Sequence, residues 1–240
     1  MITIVKNKEP ELSRPTFLVD GKLDTKLDKF PLTSLMNKSH FCLFLAKPGS
    51  GKTSMIVSLL NTPTLYKGIY HTIYLFMKPN SRKSIKGSFF DEEIPPDQIF
   101  DELNIDNLRE VFERIKDDAN EGYKSLIIFD DMQASMKDNE VEKLLNELAM
   151  NRRHLLLSIW TANQSIKTIP LKIRSVITDA FIWKISKNEM ETIFNEMIEQ
   201  PKEVFEKVLP LLFKKPHSFF FINIDSKRMF SNWDEIKIHS

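Results

Sequence analysis

Lys52 and Thr53 close a short loop that carries two glycines, Pro48-Gly49-Ser50-Gly51, and Ser54 follows them. About 80 residues downstream stands a pair of carboxylates, Asp130-Asp131, and further on an amide, Gln164. A glycine loop that bends sharply turns successive backbone N–H groups inward, where they can cradle phosphate oxygens. Lys52 then reaches the β- and γ-phosphates, and the Thr53 hydroxyl ligates Mg²⁺. Of the two acids, Asp130 holds the metal through water. Asp131 orients or deprotonates the attacking water. Gln164 both donates and accepts, which suits a sensor of the γ-phosphate. The set predicts ATP and Mg²⁺ as cofactors.

These residues need elements to hold them. The apolar run Phe41–Ala46 is too short for a helix and right for a buried strand. After the loop, Met55, Ile56, Leu59 and Leu60 recur at helical spacing, until Asn61-Thr62-Pro63 stops the helix. Strand, glycine loop and helix in this order form a P-loop. The full pattern begins with Gly, and Ala46 stands there instead. Ser125–Phe129 is a second buried strand, from whose end the two acids emerge as a Walker B pattern, at the edge where open α/β sheets bind ligands. The bland alternative is that two acids after a strand merely begin a turn. Further strands are expected at His71–Met77, at His154–Trp160 just before Gln164, and at Val176–Ile185. Helices are expected over Asn107–Asp118, after an Asp138-Asn139 cap, after a Ser186/Glu189 capping box, and around Val204, Phe205, Val208 and Leu212. The tail predicts a hairpin, Ser218–Ile224 with Arg228–Ser231. Residues 1–37 read as an extension, with Met1–Val5 and Thr16–Val19 as a small hairpin at the sheet edge. Residues 38–240 form the main domain. Lys78–Phe90 reads as a solvated loop, or as one that meets DNA phosphates through Arg82, Lys83 and Lys86. Asp91–Asp106 reads as a surface connection.

Composition bounds the rest. The 240 residues carry 34 basic and 33 acidic side chains, so any nucleic-acid contact must come from local patches. A single cysteine, Cys42, lies inside an apolar strand, which argues against disulfides and suits a reducing compartment. With no signal peptide and no apolar run of membrane-spanning length, the expected location is cytoplasmic, with no membrane partner.

A strand between the P-loop and Walker B elements, a further one after Walker B and a polar sensor at its end predict an α/β fold. It is a P-loop NTPase of the additional-strand catalytic type, with a mainly parallel central sheet flanked by helices. AKPGSGKTS, LIIFDDM, the Arg152-Arg153-His154 run, TANQ and IPLKIR together resemble the viral DNA-packaging ATPases of the FtsK–HerA superfamily. These are the poxvirus-type enzymes of large DNA viruses and virophages. The resemblance spans roughly Phe41–Ile185. It implies a homo-oligomeric ring, pentameric or hexameric, that hydrolyses ATP to drive double-stranded DNA into a capsid. The partners it implies are DNA backbone phosphates and a capsid vertex protein, and the place is the host cytoplasm at the viral factory, and the virion. In this picture Asp131 stands for the more usual Glu, and an arginine from a neighbouring subunit stabilises transition-state charge. Arg174 is the first choice for that role, with Arg152 and Arg153 behind it.

Two other readings of the residues stay open. One is a nucleotide or small-molecule kinase, which needs an acceptor site and a basic lid, where only Arg82 and Lys83 suggest one. The other is a nucleotide-gated DNA-binding or assembly protein without turnover. A GTPase is disfavoured, since no Asn-Lys-x-Asp motif occurs.

Overall fold

The computed structural model describes residues 2–7, 36, 39–83, 85 and 89–238. The chain opens with β1 (Ile2–Val5), an edge strand. The P-loop unit is β2 (Phe41–Leu45), buried at every position, followed by α1 (Lys52–Asn61). Next come β3 (Thr72–Met77), two five-residue helices, α2 (Pro79–Lys83) and α3 (Phe89–Glu93), and the two-residue strand β4 (Ile99–Phe100). Helix α4 (Ile105–Asn120) starts at Asn104, whose side chain accepts from the Asn107 N–H at 2.9 Å. It buries Leu108, Val111, Phe112 and Ile115, the stripe its spacing demands. Strand β5 (Ser125–Asp130) leads into α5 (Asn139–Asn151), capped by Asp138. Strand β6 (Leu157–Asn163), α6 (Leu171–Arg174), β7 (Asp179–Ile182), α7 (Lys187–Ile193) and α8 (Lys202–Val208) follow. The chain closes with β8 (Phe220–Asn223), β9 (Arg228–Ser231) and β10 (Asp234–Ile238).

All the strands among the described residues join one sheet, ordered β1-β10-β9-β8-β7-β2-β6-β5-β3-β4. From β7 to β4 the neighbours run parallel, and from β7 to β1 they run antiparallel. The parallel strands read as unbroken apolar runs because both faces are covered. Leu43, Phe129 and Ile159 point to one face, toward α4 and α5. Phe44, Ile128 and Trp160 point to the other, against α1. That second face is dense in aromatics: Phe181 stacks on Phe44 at 5.2 Å and packs on Phe221 at 4.6 Å.

Several expectations change. The strand expected from His154 begins at Leu157. Residues 152–156 still turn out of α5, with His154 and Leu155 donating to the Asn151 carbonyl and Leu156 in the left-handed region at φ 46°. The strand runs on through Asn163 as a result. The expected strand Val176–Ile185 contracts to β7. The span Asp91–Asp106 is more than a connection: β4 extends the parallel sheet beside β3. Lys78–Phe90 is partly helical, and Arg82 is no free cation, for it pairs with Asp91 at 3.1 Å and Asp101 at 3.2 Å. Lys83 is exposed, and Lys86 lies outside the described residues. The strand Ile2–Val5 pairs in antiparallel register with β10, Ile4 opposite Ile236. Its expected partner, Thr16–Val19, lies outside the described residues.

Candidate active site

The P-loop starts where β2 ends. Positive φ falls on Gly49, at 74°, and Gly51, at 102°, where a side chain would be strained. Ala46 is fully buried and is not among the residues of positive φ, so its methyl group fits a strand end. The Lys52 ammonium lies back over the loop and donates to the Ala46 carbonyl at 2.8 Å. Burial lowers its pKa, while the charges of Asp130 and Asp131 act in the opposite direction. Pro48, Gly49 and Ser54 are solvent-exposed; Ser50, Gly51 and Thr53 are half-buried.

The P-loop follows β2 and the Walker B acids end β5, and these two strands are not neighbours. In the sheet, β6 lies between β2 and β5, so the inserted strand brings Gln164 between the two halves of the site. Thr53 Oγ1 donates to Asp130 Oδ2 at 3.1 Å across that gap. Burial raises the Asp130 pKa, and the Thr53 hydrogen bond and Lys52 pull it down. A hydroxyl and a carboxylate in contact are hard oxygen donors of the kind Mg²⁺ takes. Among the described residues no group of three His, Cys, Asp or Glu side chains could hold a metal by itself. A Mg²⁺ ion here would therefore draw its remaining ligands from phosphate and water, which is the usual arrangement for this ion. The residues fit it: Thr53 and Asp130 would hold it, and it would supply charge neutralisation at the β- and γ-oxygens.

Asp131 leaves the strand in the left-handed region, at φ 57°, and its amide donates to the Ala162 carbonyl. Its Oδ1 accepts from Gln164 Nε2 at 2.9 Å and from Gln133 Nε2 at 3.2 Å. Gln133 Oε1 in turn accepts from the Gln164 N–H and from Thr168 Oγ1, each at 3.2 Å. Gln133 and Thr168 were not foreseen. A lone amide two residues past an acid, and a threonine in a 3₁₀ turn, carry no spacing signal; only the fold sets them side by side.

The arginines fare differently. Arg174 is held by Glu196 at 2.5 Å, with its side chain 13% exposed. Arg152 bonds the carbonyls of Ser39 and Ala149, next to the starts of β2 and β6. That is the opposite edge of the sheet from the P-loop, and Arg153 is its neighbour, so neither sits near the phosphate-binding edge.

A search of curated protein sequences finds no match. Among solved structures, the chain is similar to the genome packaging NTPase B204 of Sulfolobus turreted icosahedral virus 2 in complex with ATP-gammaS. The TM-score is 0.61 at 15% identity, over 85% of this chain and 100% of that one. B204, the DNA-packaging ATPase from Sulfolobus Turreted Icosahedral Virus, gives 0.60 at 16%, over 85% and 100%. EssC (ATPases 2 and 3) from Geobacillus thermodenitrificans gives 0.54 at 16%, over 78% of this chain and 38% of that one. These likenesses establish the P-loop NTPase fold. The family model described as Poxvirus A32 protein matches residues 27–235, and the chain belongs to that family.

Proposed function

We propose that this chain is an ATP-hydrolysing, Mg²⁺-dependent motor that moves double-stranded DNA into a viral capsid as a homo-oligomeric ring. The observation that carries the reading is a pair of contacts at the strand ends: Thr53 on Asp130 across the end of β6, and Gln164, just past β6, on Asp131. The first pair provides a metal and phosphate grip. The second provides a carboxylate whose Oδ1 is pinned by amides, so that its other oxygen can orient water for attack. Similarity to structures described as genome packaging NTPases supports ATP hydrolysis and the packaging role, as does membership of the Poxvirus A32 protein family.

In this reading Lys52 and the backbone of Pro48–Ser54 bind phosphate, Asp131 serves as the base, and Gln164 reports on the γ-phosphate. Arg174 remains the candidate for action on a neighbouring subunit, which requires its release from Glu196. DNA is held through backbone phosphates, with strong salt dependence. A capsid vertex protein is the further partner, and the host cytoplasm is the place of action. No helix among the described residues is long and apolar enough to cross a membrane.

The test is steady-state ATP turnover with and without double-stranded DNA, combined with native mass measurement. The expected result is DNA-stimulated turnover in a ring-sized species, and Asp131→Asn should lower kcat by about 10²–10⁴-fold while nucleotide still binds. Absence of turnover with DNA under ring-forming conditions would overturn the motor.

A further inference from the structure

The chain as a whole is balanced, 34 basic against 33 acidic residues, so a local excess of one sign is informative. One such excess lies on the same sheet edge as the P-loop. Leu45, the last residue of β2, pairs with Ile182, Ile182 with Phe220, Phe220 with Ser231 and Ser231 with Asp234. This row carries the edge across β7, β8 and β9 to β10, about 20 Å at the usual strand spacing. Over its far part opens a groove of about 380 Å³, whose lining includes Lys6, Lys214, Lys215, His217, Asn232 and Asp234. Asp234 is the only carboxylate among the described residues of that lining, and it is already taken: Oδ2 accepts from the Lys6 ammonium at 2.7 Å and Oδ1 from the Asn7 N–H at 3.1 Å. Lys214 and Lys215 are exposed, and among the described residues no carboxylate pairs with either. Asn232 Oδ1 accepts from the Phe219 N–H at 3.1 Å, which leaves the Nδ2 hydrogens to the groove.

We propose that this groove takes the phosphate backbone of double-stranded DNA, with Lys214 and Lys215 as its cations and the Asn232 amide as a neutral donor. This rests on the reading of the chain as a DNA motor and names the surface that motor uses. Three observations carry it. The lining offers uncompensated positive charge and an amide donor, which is what contact with backbone phosphates requires and all that it requires. The other flank of the sheet offers less, because Arg82 is already balanced by Asp91 and Asp101. The lysines are also tied to the nucleotide site. Ser218 donates its N–H to the Lys215 carbonyl at 3.2 Å, and the Lys215 N–H donates to Ser218 Oγ at 3.3 Å, which closes a turn. Within that turn His217 Nδ1 lies 3.4 Å from the Ser50 carbonyl of the P-loop. A shift of the loop on binding or releasing phosphate therefore reaches the two lysines through one hydrogen-bonded turn.

The experiment is fluorescence anisotropy of a labelled double-stranded oligonucleotide, titrated with the full chain over a range of KCl concentrations. Lys214→Gln combined with Lys215→Gln should lower the slope of log K against log salt by about two for each chain engaged. Lys214→Arg combined with Lys215→Arg keeps both charges and should keep the wild-type slope. An unchanged slope in the Gln pair overturns the proposal, and so does an equal fall in the Arg pair, which would make the lysines props for the turn. Inorganic tripolyphosphate, titrated by calorimetry, separates this groove from the nucleotide site. Its binding should be the same in all three proteins, and its loss in the Gln pair would assign the lysines to the nucleotide and overturn the proposal. A wild-type chain that does not bind the duplex refutes the DNA motor, and this proposal with it. Duplex binding that the Gln pair retains at the full wild-type slope refutes this proposal alone.

Discussion

Asp179→Asn should flatten the pH dependence of stability. Asp179 opens β7 between β2 and β8 and is fully buried. Its Oδ2 accepts from Thr178 Oγ1 and its Oδ1 from Asn223 Nδ2, both at 2.8 Å. Burial dominates these two bonds and pushes its pKa from 3.8 to about 7. The folded state therefore binds a proton that the unfolded chain has released. The stabilisation this brings is fully present below the unfolded pKa and is lost as the pH rises through the folded one. The full span of about three units is worth on the order of 4 kcal/mol. Between pH 5 and pH 8 the same two values give a loss of about 2.5 kcal/mol. Asparagine is nearly the same shape and cannot ionise. It keeps the acceptor for Asn223, and Thr178 Oγ1, 3.3 Å from the Phe41 carbonyl, can donate there instead. Urea unfolding at the two pH values, for wild type and variant, measures the difference directly. The wild type should lose about 2.5 kcal/mol more than the variant across that interval. Parallel pH profiles would refute the argument, because they would mean that Asp179 ionises in the fold without penalty.

The remaining expectations are more local. Lys52→Ala should weaken nucleotide binding by ~10–100-fold, the worth of a charge-assisted contact, as read by calorimetry. Gln133→Leu removes the donor on Asp131 and the acceptor for Gln164 and Thr168; kcat should fall about tenfold with KM for ATP unchanged, whereas a purely structural role would lower Tm and leave kcat alone. Phe181→Ala, which deletes the ring stacked between Phe44 and Phe221, should cost about 3–5 kcal/mol in urea unfolding. Arg82→Ala should leave the salt slope of DNA binding untouched, since Asp91 and Asp101 already balance that charge; a slope that falls by about one would show that it meets a phosphate.

Local order in this chain speaks for the pieces. The P-loop, the Walker B strand, the helix expected over Asn107–Asp118, the Asp138 and Ser186 caps and the C-terminal hairpin all follow from spacing, because each is decided by residues a few positions apart. Strand limits were less legible. The apolar residues of HLLLSIW could not show that 152–156 were still leaving a helix, and β4 is too short to produce a period. What only the tertiary structure decided is adjacency. That β6 lies between β2 and β5, that β1 closes on β10, that Gln133 and Thr168 reach the Asp131 network, and that Arg174 is taken by Glu196 are facts of strand order and packing. Such contacts join residues far apart in the chain. Their partners are chosen by which faces the sheet must bury, and no short stretch of sequence contains that information.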